Sequence, residues 1–348
     1  MTTGLLPNFL SVSGTTRQND LDVSFTISIQ PGASNTSSVA GGTQNNRQAF
    51  LTFGDKAWGS VKVGKDLGLF ASDAILNDIT LLGVGAPTAA GGNTTLGRIG
   101  SGYIYADWIP QITYTTPNFS GFQASAGLMQ NWSANSFANS VDKAGTTVGG
   151  ITTGADENGV TYSAVGSNRA AAPSYQGKAS YSFAVNDVTG KVWVSGVANK
   201  VADLGAGVHV DDSVAYAGDI GANLNVAGFG LTGYYYAGQG VGTTGLMRDG
   251  YSIDGKARDS NGGYVQLTYV LPTKTKVAAS WGTSRLDRAS GETVDNLVKE
   301  NEQWNAGLYH PLTKHLNLVA EYVHINSENQ AGASNTSNTG SLGAILFF

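Results

Sequence analysis

From Leu21 to Gln30, apolar and polar residues alternate one for one. Leu21, Val23, Phe25, Ile27 and Ile29 fall on one side; Asp22, Ser24, Thr26, Ser28 and Gln30 fall on the other. A period of two sends successive side chains to opposite faces of an extended strand, whereas a helix repeats its apolar face every three to four residues. The alternation recurs along the chain. Tyr175, Ala179, Tyr181 and Phe183 oppose Gln176, Lys178, Ser180 and Ser182. Val214, Tyr216, Ile220, Ala222 and Leu224 oppose Ser213, Asp219, Asn223 and Asn225. Val265, Leu267, Tyr269 and Leu271 oppose Tyr264, Gln266 and Thr268, and Leu316, Leu318, Ala320 and Tyr322 oppose Asn317 and Glu321. No stretch shows a comparable helical repeat. The pattern predicts an all-β chain.

The connectors alternate in length. Short turns are expected at Gly54–Trp58, Pro117–Gly121, Asn186–Gly190, Ala227–Gly228, Pro272–Lys274 and Pro311–Lys314. Long polar segments fall between them, at Pro31–Asn46, Asp66–Asp107, Asn131–Pro173, Lys200–Asp211, Gly238–Asn261, Ser284–Asn301 and Ser327–Thr339. Tight turns on one rim and long loops on the other mark an antiparallel up-and-down β-barrel.

Charge decides which solvent the outer face meets. Charged residues are only 13% of the chain, against about 25% in a typical soluble domain. From Trp108 to Val141 there is none, yet Pro110, Pro117 and Gly121 interrupt this run, so it is no transmembrane helix. Charge concentrates instead in Arg248–Asp259 and Arg285–Glu302. A soluble β-sandwich would spread charge over its outer faces. Strands with one apolar face and one small, neutral polar face predict a transmembrane barrel with lipid outside and a wetted lumen inside. Trp58, Trp108, Tyr114, Tyr181, Tyr234, Tyr236, Trp281, Trp304 and Tyr322 suit interfacial girdles near the strand ends, or packing at a subunit interface. The 48 glycines suit turns, loops and crowded strands. No cysteine is present, which excludes a disulfide scaffold, a thiolate metal site and a cysteine nucleophile. A net charge of −5 argues against a nucleic-acid partner.

Fifteen strands are expected, near 5–13, 20–30, 46–54, 57–66, 107–117, 120–131, 173–184, 190–199, 211–225, 228–238, 261–272, 274–284, 301–311, 314–326 and 340–348. Bacterial single-chain barrels have an even number. The expectation is therefore a barrel of about 16 strands whose first strand lies upstream of Met1; the alternatives are a sixteenth strand not recognised within the chain and a genuine 15-strand closure. Met1–Leu10 also lacks the basic and apolar regions of a signal peptide, so either the chain is not exported or the sequence begins after its signal.

Three segments carry a family resemblance. Asn46-Arg-Gln-Ala-Phe-Leu-Thr-Phe-Gly54, followed by Trp58-Gly-Ser-Val-Lys-Val-Gly-Lys-Asp66, resembles the hairpin before the constriction loop of the general trimeric porins of Gram-negative outer membranes. Leu308-Tyr-His-Pro-Leu-Thr-Lys-His-Leu-Asn-Leu-Val-Ala-Glu-Tyr322 resembles a late porin hairpin. The C-terminal Ser341-Leu-Gly-Ala-Ile-Leu-Phe-Phe348 is similar to the outer-membrane assembly signal, with Ser341, Gly343, Leu346 and Phe348 at its fitting positions. The resemblance covers the chain from about residue 20 to the end. It implies one barrel over residues 1–348, a homotrimer in outer-membrane lipid and lipopolysaccharide, and passive diffusion of ions and small hydrophilic solutes. It implies no enzyme activity. A substrate-specific channel and a structural or adhesive surface protein are the competing readings.

The resemblance also implies that the third long loop, here 66–107, folds into the lumen. Its apolar run to Val84 agrees, since such a loop suits open solvent poorly. Asp66, Asp73 and Asp78 are then candidates for an acidic side of the constriction, although Asp73 or Asp78 could instead cap a short helix. Lys62 shares parity with Ser60 and Gly64 and should face the lumen. With Arg47, Arg98 and Lys178 it is a candidate for an opposing basic side; Arg47 or Arg98 could instead pin the loop by a salt bridge. No cofactor or metal is expected. Gly238–Gly242 and Gly83–Gly85 do not join a strand to a helix, which a phosphate cradle requires. His209, His310, His315 and His324 are scattered, and Asp249, Asp254 and Asp259 lack calcium-loop spacing; those acids could bind divalent cations at the lipopolysaccharide surface or simply be solvated.

Overall fold

A computed structural model describes residues 2–32, 44–87, 94–132, 172–201, 214–252 and 255–348, with the backbone of a few short ladders between 133 and 171. Fifteen strands form one antiparallel sheet in chain order, each paired with its successor. They are β1 Leu10–Gln18, β2 Leu21–Pro31, β3 Ala49–Asp55, β4 Gly59–Leu67, β5 Trp108–Thr115, β6 Phe122–Met129, β7 Ser174–Val185 and β8 Val188–Lys200. The remainder are β9 Val214–Val226, β10 Phe229–Gln239, β11 Asp259–Val270, β12 Lys276–Leu286, β13 Val298–Pro311, β14 Leu316–Asn329 and β15 Ser334–Leu346. Among the described residues no ladder joins β1 to β15.

Burial is inverted relative to a soluble sheet. Ile27, Leu51, Ile112, Ile220, Leu267 and Leu308 are exposed, while Gln30, Gln176, Asp219, Gln266, Gln303 and Glu321 are buried. The two sets have opposite parity on their strands, so the apolar face looks outward and the polar face inward. This is the lipid-and-lumen arrangement expected from the alternation. No helix is long and apolar enough to cross a membrane.

The short connections close as tight hairpins. Asn19 and Asp20 both have positive φ (48° and 63°), as do Ala227 and Gly228 (48° and 84°). Two such residues in succession give the turn whose twist matches the flanking strands, and Asn, Asp and Gly tolerate it best. Two sequence expectations need correction. The first strand is Leu10–Gln18, not 5–13, because Thr15, Thr16 and Arg17 blur its alternation. The segment Ser327–Thr339 is no long loop. β14 and β15 stay paired through Glu328↔Ser334, leaving only a tight turn. Residues there are polar on both faces, so the ladder continues where the alternation fades.

Candidate functional site

The β4–β5 segment turns inward and crosses the lumen. Ser72–Asn77 form a short helix, α1, and Ile79–Leu82 a 3₁₀ turn. Little of its remaining backbone is regular, so its N–H groups need partners from elsewhere. Inward-facing wall side chains supply them. Gln176 Oε1 on β7 accepts from the N–H groups of Leu69 (2.7 Å) and Phe70 (3.0 Å). Asp219 Oδ2 on β9 accepts from Ala71 N–H at 3.0 Å, where Ala71 sits at φ 60°. Gln266 Oε1 on β11 accepts from Ile79 N–H at 2.7 Å. Glu321 Oε2 on β14 accepts from Val84 (2.6 Å) and Gly85 (3.0 Å). Ser284 Oγ on β12 accepts from Gly102 at 3.0 Å. The segment is thus stitched to the wall from β7 to β14. An apolar cluster fills the space beneath it, with Phe70, Ala74, Ile75, Ile99, Tyr103 and Ile104 against Trp193, Tyr234 and Tyr264.

The expected residues divide into two groups. Asp78 and Arg98 have no exposed side-chain surface. Asp78 caps the 3₁₀ turn, accepting from Thr80 N–H at 3.0 Å, and also receives the Tyr103 hydroxyl at 2.8 Å. Arg98 Nε lies 3.9 Å from Asp78 Oδ1. Its guanidinium donates to the Gln303 carbonyl at 3.1 Å and to Ser280 Oγ, and it stacks over Tyr264. These are the contacts of a cap and a pin, the second of the two roles open to each residue.

The other group meets water. Lys178 on β7 pairs with Asp73 Oδ2 at 2.9 Å, and Lys191 on β8 pairs with Asp73 Oδ1. Lys62 on β4 pairs with Asp66, four residues on, while Gln48 Nε2 donates to the other Asp66 oxygen at 3.0 Å. The lysine side chains are 31% (Lys62), 21% (Lys178) and 33% (Lys191) exposed; the carboxylates are 10% (Asp66) and 4% (Asp73) exposed. Arg47 stacks on Trp108 with its guanidinium carbon 5.7 Å from the ring centre. Asp73 of the loop and Lys178 and Lys191 of the wall thus meet in direct ion pairs. Lys178 grips the loop directly, and Lys62 is satisfied within its own strand. The sequence reading missed Lys191, as well as the wall acceptors Gln176, Asp219, Gln266 and Glu321. All four acceptors have lumen parity, the one signal that marks them.

At the C-terminus, Ser341 and Gly343 lie on β15 and Phe348 is fully exposed. Asp254 and His209 lie outside the described residues, as do 88–93 of the infolded segment. Among the described residues no three His, Asp or Glu side chains are placed to hold a metal ion.

A family model described as Gram-negative porin matches residues 8–330. The chain belongs to the Gram-negative porins. It is accordingly an outer-membrane channel for passive diffusion. Solved structures of the same fold include the outer membrane channel DcaP of Acinetobacter baumannii, at 18% identity and TM-score 0.65, covering 97% of this chain and 84% of that one. The anion-selective porin from Comamonas acidovorans matches at 14% identity and TM-score 0.56, over 99% of this porin and 87% of that chain. OmpT of Vibrio cholerae, solved in a trimer form, matches at 13% identity and TM-score 0.51, over 97% and 88%. No curated protein matches the sequence significantly.

Proposed function

We propose that this porin passes small hydrophilic solutes with a preference for anions, set where the infolded 66–107 loop constricts the lumen. One observation carries the reading: at the constriction the lysines meet water while their carboxylates are buried behind them. Lys178 and Lys191 also share the single carboxylate of Asp73, which leaves an excess of positive charge. Lumen charge sets ion preference in a wide pore. Asp66 and Asp73 orient the lysines, Arg98 and Asp78 hold the loop, and Arg47 adds a cation beside Trp108.

Replacing Lys178 and Lys191 together with Gln is expected to lower the chloride-over-potassium permeability ratio, read as the zero-current potential across a salt gradient. Asp73→Asn is expected to raise it. Potentials that stay at the wild-type value in both variants would sink the anion reading. Competitive block of the current by a sugar at low concentration would favour a substrate-specific channel instead.

We further propose a homotrimer embedded in outer-membrane lipid and lipopolysaccharide. The outward apolar face and the trimer form of the related OmpT fold support this. Ser341, Gly343, Leu346 and Phe348 act as the assembly signal, a reading that rests on the resemblance of residues 341–348 to that signal. Deleting Phe348 is expected to shift the protein from the outer membrane to the periplasm in cell fractionation. Unaltered insertion would remove the signal from this position.

A further inference from the structure

The connection between β10 and β11 reads in the sequence as an ordinary polar loop. In the structure its described residues, 240–252 and 255–258, pack inside the barrel wall. Val241, Leu246, Met247 and Tyr251 are buried. They share one apolar cluster with Ala217 and Tyr236 on the inner wall and with Ile99 and Ile104 of the constriction loop. A loop standing away from the barrel would leave these side chains wet. The turn is closed on itself by Met247 N–H to Val241 O at 2.9 Å. Its base is closed by Gly240 N–H to Arg258 O (2.9 Å) and Arg258 N–H to Gly250 O (2.8 Å), and the buried Arg258 pairs with Glu292.

The constriction loop meets this second loop where its own wall anchors stop. Up to Gly102 the returning limb is tied to β12 and β13. Gln303 Nε2 donates to Gly97 O at 2.8 Å, Asn301 Nδ2 donates to Gly100 O at 3.0 Å, and Gly102 N–H donates to Ser284 Oγ. From Tyr103 to Ala106 no wall side chain bonds the backbone, among the described residues. The bond that this stretch makes outside its own loop is Tyr105 N–H to Thr244 O, at 2.8 Å. Gly100, at φ 83°, also lies against Thr244: a Cβ added there would stand 3.6 Å from the Thr244 Cβ. Tyr103, Ile104 and Ala106 are nevertheless fully buried, so packing and one backbone bond hold the stretch in place.

We propose that residues 241–247 brace the constriction loop, and that Val241, Thr244 and Leu246 are positioning residues of the size filter. They fix how far the 99–106 stretch reaches into the lumen, because that stretch has too few wall bonds of its own to fix it. A functional segment keeps its geometry only when the residues behind it are themselves locked in place. The closed turn and base of the second loop supply that rigidity. The proposal rests on the reading of 66–107 as the constriction.

The test is bilayer recording of the porin carrying Val241→Ala with Leu246→Ala, with the folded band on gels as the check that the barrel is intact. Truncating both side chains removes the packing that seats the stretch. Unit conductance and the size of the largest polyethylene glycol that enters the pore are both expected to rise. The joint can also be locked, because the chain has no native cysteine. The 3.6 Å separation at Gly100 and Thr244 lies within the roughly 3.5–4.5 Å that a disulfide spans. Adding Gly100→Cys and Thr244→Cys to the truncated pair should return both readouts to wild type on oxidation and release them on reduction. Wild-type readouts in the truncated pair, beside a raised conductance in Arg98→Met, would overturn the brace and leave the constriction reading standing. Wild-type readouts in both would remove the constriction reading and the brace with it. In the otherwise unaltered porin, a cysteine pair whose thiols stay reactive to maleimide after oxidation would show that the loops do not meet, which also overturns the proposal.

Discussion

Arg98→Met is expected to raise single-channel conductance and to destabilise the barrel by about 3–5 kcal/mol, the usual cost of removing one partner from a buried ion pair. Arg98 and Asp78 are both fully buried, so the variant strands the Asp78 carboxylate without its cation. Methionine also forfeits the bonds to the Gln303 carbonyl and Ser280, which tie the returning limb of the constriction loop to β12 and β13. Tyr103 and Thr80 still donate to Asp78, so the carboxylate keeps partners but loses its counter-charge. Freed on that side, the loop should leave more of the lumen open to ions. Adding Asp78→Asn should recover part of the stability, because the stranded charge is gone. The measurements are unit conductance and the temperature at which the folded band is lost on gels. Wild-type values in both would mean that Arg98 fills space without holding the loop.

The barrel wall was legible because lipid imposes a simple rule on it. Each outward residue within the hydrocarbon must be apolar, so Phe25, Ile220 and Leu267 betray the strand and its facing in one reading. Where the strands rise past the lipid the rule lapses. Glu328 and Ser334 are still paired, but nothing in their composition separates ladder from loop. The turns were legible for a different reason, since positive φ at Asn19–Asp20 and Ala227–Gly228 restricts residue choice.

The interior was legible in parity and illegible in partnership. Gln176, Asp219, Gln266 and Glu321 could be placed on the inner face by counting from their apolar neighbours. That they accept loop N–H groups depends on a path through the lumen that joins residues more than 100 positions apart. Lys191 escaped notice because its inward neighbour is Trp193, a buried aromatic that breaks the polar side of the alternation. The second infolded loop carried the same mark as the first. Val241, Leu246, Met247 and Tyr251 are too apolar for a loop in open water, but scattered among glycines they form no continuous run.

Acid is expected to loosen the outer mouth, and Glu292 is the group responsible. It lies between β12 and β13, outside the membrane-spanning strands, and accepts from Arg258 Nε at 2.8 Å and from Ala289 N–H at 3.0 Å. Burial pushes its carboxyl up, but the hydrogen bonds from Arg258 and Ala289, with the charges of Arg258 and Arg288, outweigh burial and hold it below the ordinary 4.5. A carboxyl lowered in the folded state binds protons more tightly when unfolded. Its stabilisation is therefore complete above about pH 5 and is lost as the pH falls below 4.5 and through the folded value. Arg258 simultaneously loses its counter-charge, while it keeps its bond to the Asp249 carbonyl at 2.8 Å. Since Arg258 closes the base of the 240–258 loop, protonation should free that loop before the strands unfold. Protection over the described residues of 240–258, taken relative to the intrinsic exchange rate at each pH, is expected to fall as the pH drops below 4.5 while β9–β11 stay protected. Glu292→Gln should exchange quickly at every pH, with about 3–5 kcal/mol of the loop's protection gone, because it leaves Arg258 buried and unpaired. A Glu292→Gln loop that remains as protected as wild type at pH 7 would place the closure of the outer mouth elsewhere.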